Sequence, residues 1–296
     1  MSNVVKRMIV ASDFQSGGVG SLEPPLENWL RFRRKLCSDE SISIEEIKNN
    51  FGTSSSAVKF ASARQEAWNF WKTELEKLQP VDIGVLVGDL TSGKQQRQGG
   101  FELLSIDPYD QISMAAAIAS EIHPKQGFLI LRGTEYHCGT EEHYENLVAG
   151  LLQQPNGSKH YVKISDHQQA DIEGKIFDFK HHISASKGIY GPATGLTKEK
   201  LFNLLWSEID GTRRADYLIR AHLHQFFAVT DLGSNGKLRT AMTLPGLEFW
   251  SRYGVSRCSG IIHLGFVVFD FLDDGSVQFY PKTAQLQTCK RKIIKM

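Results

Sequence analysis

Two histidines one residue apart, His222 and His224, follow the apolar run Tyr217-Leu218-Ile219-Arg220-Ala221. Imidazole suits zinc, iron, nickel and copper, and a His-x-His pair past the end of a strand is a common way to hold such an ion. Alone, such a pair is as often simply two solvent-exposed polar side chains. Four other apolar runs stop in the same way: residues 7–12 at Asp13, 82–88 at Asp89, 127–132 at Gly133-Thr134-Glu135-Tyr136-His137, and 174–180 at His181-His182. A lone aspartate at such a place is more often a cap or turn residue. Five strand ends together point elsewhere. Parallel strands put their carboxyl ends on one sheet edge, where open α/β sheets bind ligands. Carboxylates mixed with imidazoles suit a pair of divalent metals about 3.5–4 Å apart, with one carboxylate bridging the ions through its two oxygens.

The elements that position these residues alternate in the first half between strands and helices. Trp68, Trp71, Leu75 and Leu78 recur at helical spacing within residues 62–78, and Pro80 ends the pattern. These aromatics read as the core-facing stripe of a helix, not as a base-stacking platform. Further helices are expected over 109–122, 141–152 and 197–209, the last with Thr197 as its N-cap. The second half is strand-rich, over 161–164, 174–180, 217–221, 226–232, 238–244, 261–272 and 277–280. The turn Asp273-Asp274-Gly275-Ser276 joins the last two. No repeat and no Pro/Gly linker divides the chain. The pattern predicts one domain over residues 1–296, with two sheets face to face and helices outside. Residues 26–60 read as an insertion or surface segment, and 285–296 as a basic tail.

Bulk properties narrow the class. The 296 residues are 41% hydrophobic and 23% charged, with a formal net charge of +1. That gives ample core and no global attraction to nucleic acid or membrane. Cys37, Cys138, Cys258 and Cys289 form no CxxC pair and suggest neither a zinc knuckle nor a disulfide framework. The N-terminus opens into a strand-like run with no signal-peptide core. The longest apolar stretch, residues 261–272, carries His263 and Asp270 and falls short of the roughly 20 residues a bilayer needs. A cytoplasmic protein without a membrane partner is expected. The basic cluster Arg31, Arg33, Arg34 and Lys35 reads first as a solvated helix face. Its sharper reading, with the tail Lys290 to Lys295, is contact with a phosphate backbone. The aromatic-rich loop 244–253 either walls the site or packs a corner between sheets.

The series Ser12-Asp13-Phe14-Gln15, Gly88-Asp89-Leu90, Arg132-Gly133-Thr134-Glu135-Tyr136-His137, Lys180-His181-His182 and Ala221-His222-Leu223-His224 resembles the calcineurin-like metallophosphoesterase superfamily. The resemblance covers about residues 7–230, and the later strands suit the second sheet of that fold. The Arg-Gly-Thr-x-Tyr-His and His-His-Ile-Ser pieces, with Pro24-Pro25, are similar to a subgroup often encoded by bacteriophages and prophages. The resemblance implies a four-layer αββα sandwich with two mixed β-sheets and two divalent metal ions: manganese, iron, zinc or nickel. It makes Asp13 and His224 ligands of the first metal and Asp89 the bridge, and gives His181 and His222 to the second. His182 is the alternative to His181, or a partner for a carboxylate behind the site.

Two departures stand out. Gln15 replaces a usual histidine, and a neutral amide is a weaker ligand for a transition metal. Thr134 stands where the family has a ligating asparagine, and the usual acid histidine is displaced to His137, with Glu135 as a substitute carboxylate. Arg132 and Arg220 are expected to pair structurally beneath the site. The implied function is hydrolysis of a phosphomonoester or phosphodiester, in a nucleic acid or nucleotide among other substrates, by hydroxide generated at the metal pair. Asp89 and His137 would be the catalytic residues. The alternative is a degenerate relative that works as a metal-binding or protein-interaction module.

Overall fold

Strands that bury both faces need cover on both sides, and this requirement sets the architecture. The computed structural model describes residues 2–37, 44–95, 99–138, 143–153, 160–183, 191–233, 236–252 and 262–286. β1 (Val4–Ala11), β2 (Ile83–Val87), β3 (Gly127–Leu131) and β4 (Tyr161–Ser165) pair in parallel. β10 (Leu264–Leu272) adds antiparallel to β1, and β11 (Val277–Ala284) antiparallel to β10, giving the order β11-β10-β1-β2-β3-β4. The second sheet runs β5-β6-β7-β9-β8. Its central strands, β6 (Lys175–Lys180), β7 (Tyr217–Arg220) and β9 (Leu238–Thr243), are parallel. β5 (His167–Ile172) and β8 (Phe227–Leu232) close its edges antiparallel. Both sheets are therefore mixed.

Alternation along the strands divides the core into layers. Met8 and Val10 of β1 meet Phe177, Phe179 and Ile219 of the second sheet. Ile9 and Ala11 face the other way, toward α3 (Ser55–Leu78), α4 (Pro108–Ser120) and α6 (Tyr144–Leu152). The buried α4 is alanine-rich, which lets α1 and α6 pack closely against it. α7 (Gly191–Ile209) covers the second sheet through Leu196, against Leu218 and Ala241. The result is helix, sheet, sheet, helix. No helix among the described residues is long and apolar enough to cross a membrane.

Several boundaries differ from the sequence pattern for local reasons. α3 starts at Ser55, earlier than its aromatic stripe, because the Ser54 side chain accepts from the Ala57 N–H. Thr197 is not a helix cap: α7 begins at Gly191, and the Thr197 hydroxyl donates back to the Ala193 carbonyl at 2.8 Å. Threonine inside a helix turns to the preceding turn in this way. β5 leaves no strand pattern in the sequence, since His-Gln-Gln-Ala-Asp-Ile lacks apolar alternation. Its pairing is set by the tight turn at Glu173 (φ 50°) and Gly174 (φ 74°), whose two left-handed residues match a type I′ hairpin. β11 runs on to Ala284 through Pro281, which an edge strand tolerates.

Within residues 26–60, α1 (Leu26–Cys37) buries Trp29, Leu30 and Phe32 beside α4. Arg33 turns back to Asp107 at 2.6 Å and Asp110 at 2.9 Å. α2 (Ile44–Asn50) follows. The helix expected over 141–152 occupies Tyr144–Leu152, with 139–142 outside the described residues. The basic tail from residue 287, and Cys258 and Cys289, also lie outside them.

Candidate metal centre

Each functional side chain sits at or just past the carboxyl end of a strand. Asp13 and Gln15 follow β1, Asp89 follows β2, and Thr134 follows β3, leading into the one-turn helix α5 (Glu135–Cys138). His181 follows β6, and His222 and His224 follow β7. The carboxyl ends of the two facing sheets come together here, where the His222 N–H donates to Asp13 Oδ2 at 3.3 Å. Asp13 N–H donates to the Gly88 carbonyl at 3.0 Å, Gln15 N–H to Asp89 at 3.0 Å, and Ala221 N–H to His181 at 2.9 Å. Nine non-glycine residues among those described have positive φ, and five of them are Asp13, Gln15, Asp89, His222 and His224. Such strain clusters at functional sites, where the surrounding structure holds side chains in particular directions, and it makes this cluster the candidate site.

Asp89 is the centre. Thr134 donates to its Oδ1 through both the N–H (2.6 Å) and Oγ1 (3.1 Å). His181 Nε2 lies 3.1 Å from Asp89 Oδ2, and His137 Nε2 lies 3.9 Å from it. Asp89, His181 and His222 each offer one donor atom, all within 4.8 Å of one another. The approach at Gly133 is tight: a Cβ there would sit 2.0 Å from Asp89 Oδ1. On the other side, His224 Nε2 lies 3.2 Å from Asp13 Oδ1.

The ring of His181 is fixed by its Nδ1, 2.6 Å from the Val87 carbonyl. A carbonyl only accepts, so Nδ1 carries the proton and Nε2 faces the carboxylates. Nε2 has no aligned hydrogen bond, nor does Asp13 Oδ1, and these two buried atoms lie 4.0 Å apart. Buried polar atoms without an aligned hydrogen bond are costly. A cation between them satisfies both, so the residues present fit a metal ion.

The electrostatics carry the same demand for positive charge. Burial disfavours the imidazolium of His181, but the Asp89 and Asp13 carboxylates outweigh it and raise its pKa to about 10. His224 is raised to about 9 by Asp13 and Glu248, again against burial. Burial would raise the pKa of Asp89, yet His181, His137 and the Thr134 N–H hold it well below the usual carboxylate range. Burial lowers that of His222. Ligation requires neutral imidazole, so an incoming ion competes with protons at His181 and His224.

Glu248 was not singled out by any motif. It lies in the loop after β9, buried, with Oε2 3.5 Å from His224 Nδ1. Burial raises its pKa to about 7, with Asp13 and Glu102 adding to the effect and His224 opposing it. The loop is pinned over the site by Leu247 N–H donating to the Asp13 carbonyl at 3.1 Å and Gly246 N–H to His263 at 3.1 Å. A Cβ on Gly246 would come within 3.0 Å of the His224 ring. The loop thus walls the site while Leu247 and Phe249 pack inward. Only its position in space reveals Glu248, because one carboxylate among aromatics has no spacing signature.

Asp13, Asp89, His181, His222 and His224 come together, with Gln15 beside His224. Thr134 is bonded to Asp89, and His137 Nδ1 lies 3.1 Å from the Ser92 carbonyl. His182 is exposed, its ring 5.0 Å from that of His222, and Glu135 is exposed on α5. Cys138 and Glu145 adjoin Asp89 from inside the fold, the thiol donating to Glu145 Oε1 at 2.7 Å. Burial pushes the Cys138 thiol up, so it stays protonated. Arg220 lies beneath the site, bonded to Asp178 and Glu199 at 2.8 Å each. Arg132 reaches Asn146 and Asp166.

No protein-family model and no curated protein matches the chain. Among solved structures it is similar to Vps29 of Chaetomium thermophilum, with 9% identity, 95% of this chain and 97% of that one covered, and a TM-score of 0.37. The Thermotoga maritima protein TM1076 gives 12% identity, coverages of 95% and 100%, and a TM-score of 0.36. A zinc complex of Vps29 from Entamoeba histolytica gives 13% identity, coverages of 53% and 82%, and a TM-score of 0.27. Such scores carry no argument about fold or function; the architecture rests on the two mixed sheets and the helices that flank them.

Proposed function

We propose that the chain is a metal-dependent phosphoesterase of the calcineurin-like type. The observation that carries this is the convergence of Asp13, Asp89, His181, His222 and His224, with the buried Asp13 Oδ1 and His181 Nε2 4.0 Å apart and neither in an aligned hydrogen bond. Asp13, Gln15 and His224 would hold one divalent ion, His181 and His222 the other, and Asp89 both. When bound, such ions polarise the phosphoryl group and acidify water. Thr134 holds the Asp89 carboxylate in place through its two hydrogen bonds. His137, oriented by the contact of its Nδ1 with the Ser92 carbonyl, would serve as the general acid toward the leaving oxygen. Glu248 and its loop exclude water from the far side of His224.

The substrate class is a phosphomonoester or phosphodiester, nucleotides and nucleic acids included. Arg31, Arg34 and Lys35 are exposed on α1 and available to a phosphate backbone, whereas Arg33 is engaged internally. Phosphate contacts would show as a fall in affinity with salt, with a log–log slope of about −0.9 per contact on duplex DNA. The test of the main proposal is hydrolysis of an aryl phosphodiester with manganese, against an Asp89→Asn control. Turnover no higher than the control with manganese, iron, zinc and nickel overturns it.

A second reading is favoured by Thr134, whose hydroxyl is bonded to Asp89 rather than offered to an ion. It is a metal-binding or interaction module without catalysis. Two stoichiometric metals with no turnover on phosphomonoesters or phosphodiesters would establish it.

A further inference from the structure

Gln15 is the weakest donor in the centre by residue type, yet its surroundings are the most specific. Its amide reaches two neighbours, Glu248 and His224. The orientation that satisfies both ends has the nitrogen donating to Glu248 Oε1 at 3.0 Å and Oε2 at 3.2 Å, with the oxygen 3.3 Å from His224 Nε2. The opposite orientation sets the amide oxygen against a carboxylate, acceptor against acceptor. His224 Nε2 is also the atom beside Asp13 Oδ1. Three donor atoms therefore converge: an amide oxygen, a carboxylate oxygen and an imidazole nitrogen. Glu248 stands behind two of them, toward the Gln15 amide nitrogen and, at 3.5 Å, His224 Nδ1. A carboxylate behind a ligating histidine fixes its tautomer and its ring orientation.

We propose that Glu248 is a positioning residue that makes Gln15 a metal ligand. It holds the amide so that Oε1 joins Asp13, Asp89 and His224 around the first ion. The inference rests on the metal-centre reading above and deepens it. The two positions then differ in character. The first has three oxygen donors and one nitrogen; the second has Asp89 with the two imidazoles of His181 and His222. Carboxylate and carbonyl oxygens suit manganese and magnesium, and imidazoles suit zinc. The first position is thus tuned toward a hard divalent ion and the second toward zinc or a similar metal. Replacing the usual histidine by Gln15 becomes a change of metal preference, with Glu248 as the device that makes the amide serviceable.

The experiment measures manganese and zinc binding directly, by manganese paramagnetic resonance and calorimetric competition, on the full chain. Wild type, Glu248→Gln and Gln15→His are compared in the His222→Gln background, which impairs the second position. Circular dichroism checks that each variant is folded. Glu248→Gln is expected to weaken manganese binding 10- to 100-fold, the range typical for removing a group behind a ligand. Gln15→His is expected to move the manganese-to-zinc affinity ratio at least tenfold toward zinc. Unchanged manganese affinity in folded Glu248→Gln, or an unchanged ratio in Gln15→His, overturns the inference while leaving the metal centre standing. If Glu248→Gln does not fold, the Gln15→His ratio decides alone. A wild-type chain that binds no divalent ion overturns the metal-centre reading itself.

Discussion

At the scale of single residues, the centre depends on groups that do no chemistry. Gly133 is required because a Cβ would sit 2.0 Å from Asp89 Oδ1. Gly133→Ala must displace that carboxylate, and a misplacement of about 1 Å costs on the order of 100-fold in rate. Turnover measured beside a melting curve checks this: a folded Gly133→Ala variant with wild-type turnover would show that the position of Asp89 does not matter. The left-handed backbone at Asp13, Asp89, His222 and His224 belongs to the same scale. None of these residues is glycine, so each strained conformation is sustained by the hydrogen bonds that cross between strand ends.

At the scale of elements, the join between β6 and β7 rests on a buried ion pair. Arg220 Nη2 donates to Asp178 Oδ1 at 2.8 Å, and both side chains are buried. Burial alone would raise the pKa of Asp178, but the His167 hydrogen bond and the Arg220 charge lower it to about 2. A depressed folded-state value stabilises the fold above the unfolded value near 4, and that stability is lost as pH falls through about 2. The contribution is about 2 kcal/mol. Acid titration of stability should show this loss between about pH 4 and pH 2, and Asp178→Asn should flatten it. Asp178→Ala leaves the buried Arg220 with Glu199 as its remaining carboxylate partner, so denaturant melts should show a loss of about 1.5–3 kcal/mol, the range for a hydrogen bond to a charged group. Ser54→Ala, which removes the cap of α3, should cost only about 1 kcal/mol in the same assay.

At the scale of the whole molecule, the candidate centre lies where the two sheets come together, with candidate ligands following β1 and β2 on one side and β6 and β7 on the other. An ion bound there bridges both sheets and stabilises the folded chain. At 100 times its dissociation constant, one ion adds about 2.7 kcal/mol. Thermal melts with manganese should therefore rise by several degrees and fall back with chelator. An unchanged melting temperature across a range of manganese, zinc and nickel concentrations counts against the centre.

Periodicity and composition alone carried the layered α/β plan, most of the strands, and the strand ends that hold Asp13, Asp89, His181, His222 and His224. These are legible because burial on both faces writes continuous apolar runs, and a polar residue that stops such a run is conspicuous. Tertiary structure decided the rest. β5 exists through its pairing with β6, not through its own polar sequence. The start of α7 at Gly191 and the inward turn of α1 are set by what they pack against. His181 rather than His182 enters the site because the Val87 carbonyl holds its ring there. Glu248 reaches Gln15 from more than two hundred residues away along the chain. A contact between distant residues leaves no mark on the sequence near either one, since only the fold brings their donors and acceptors together.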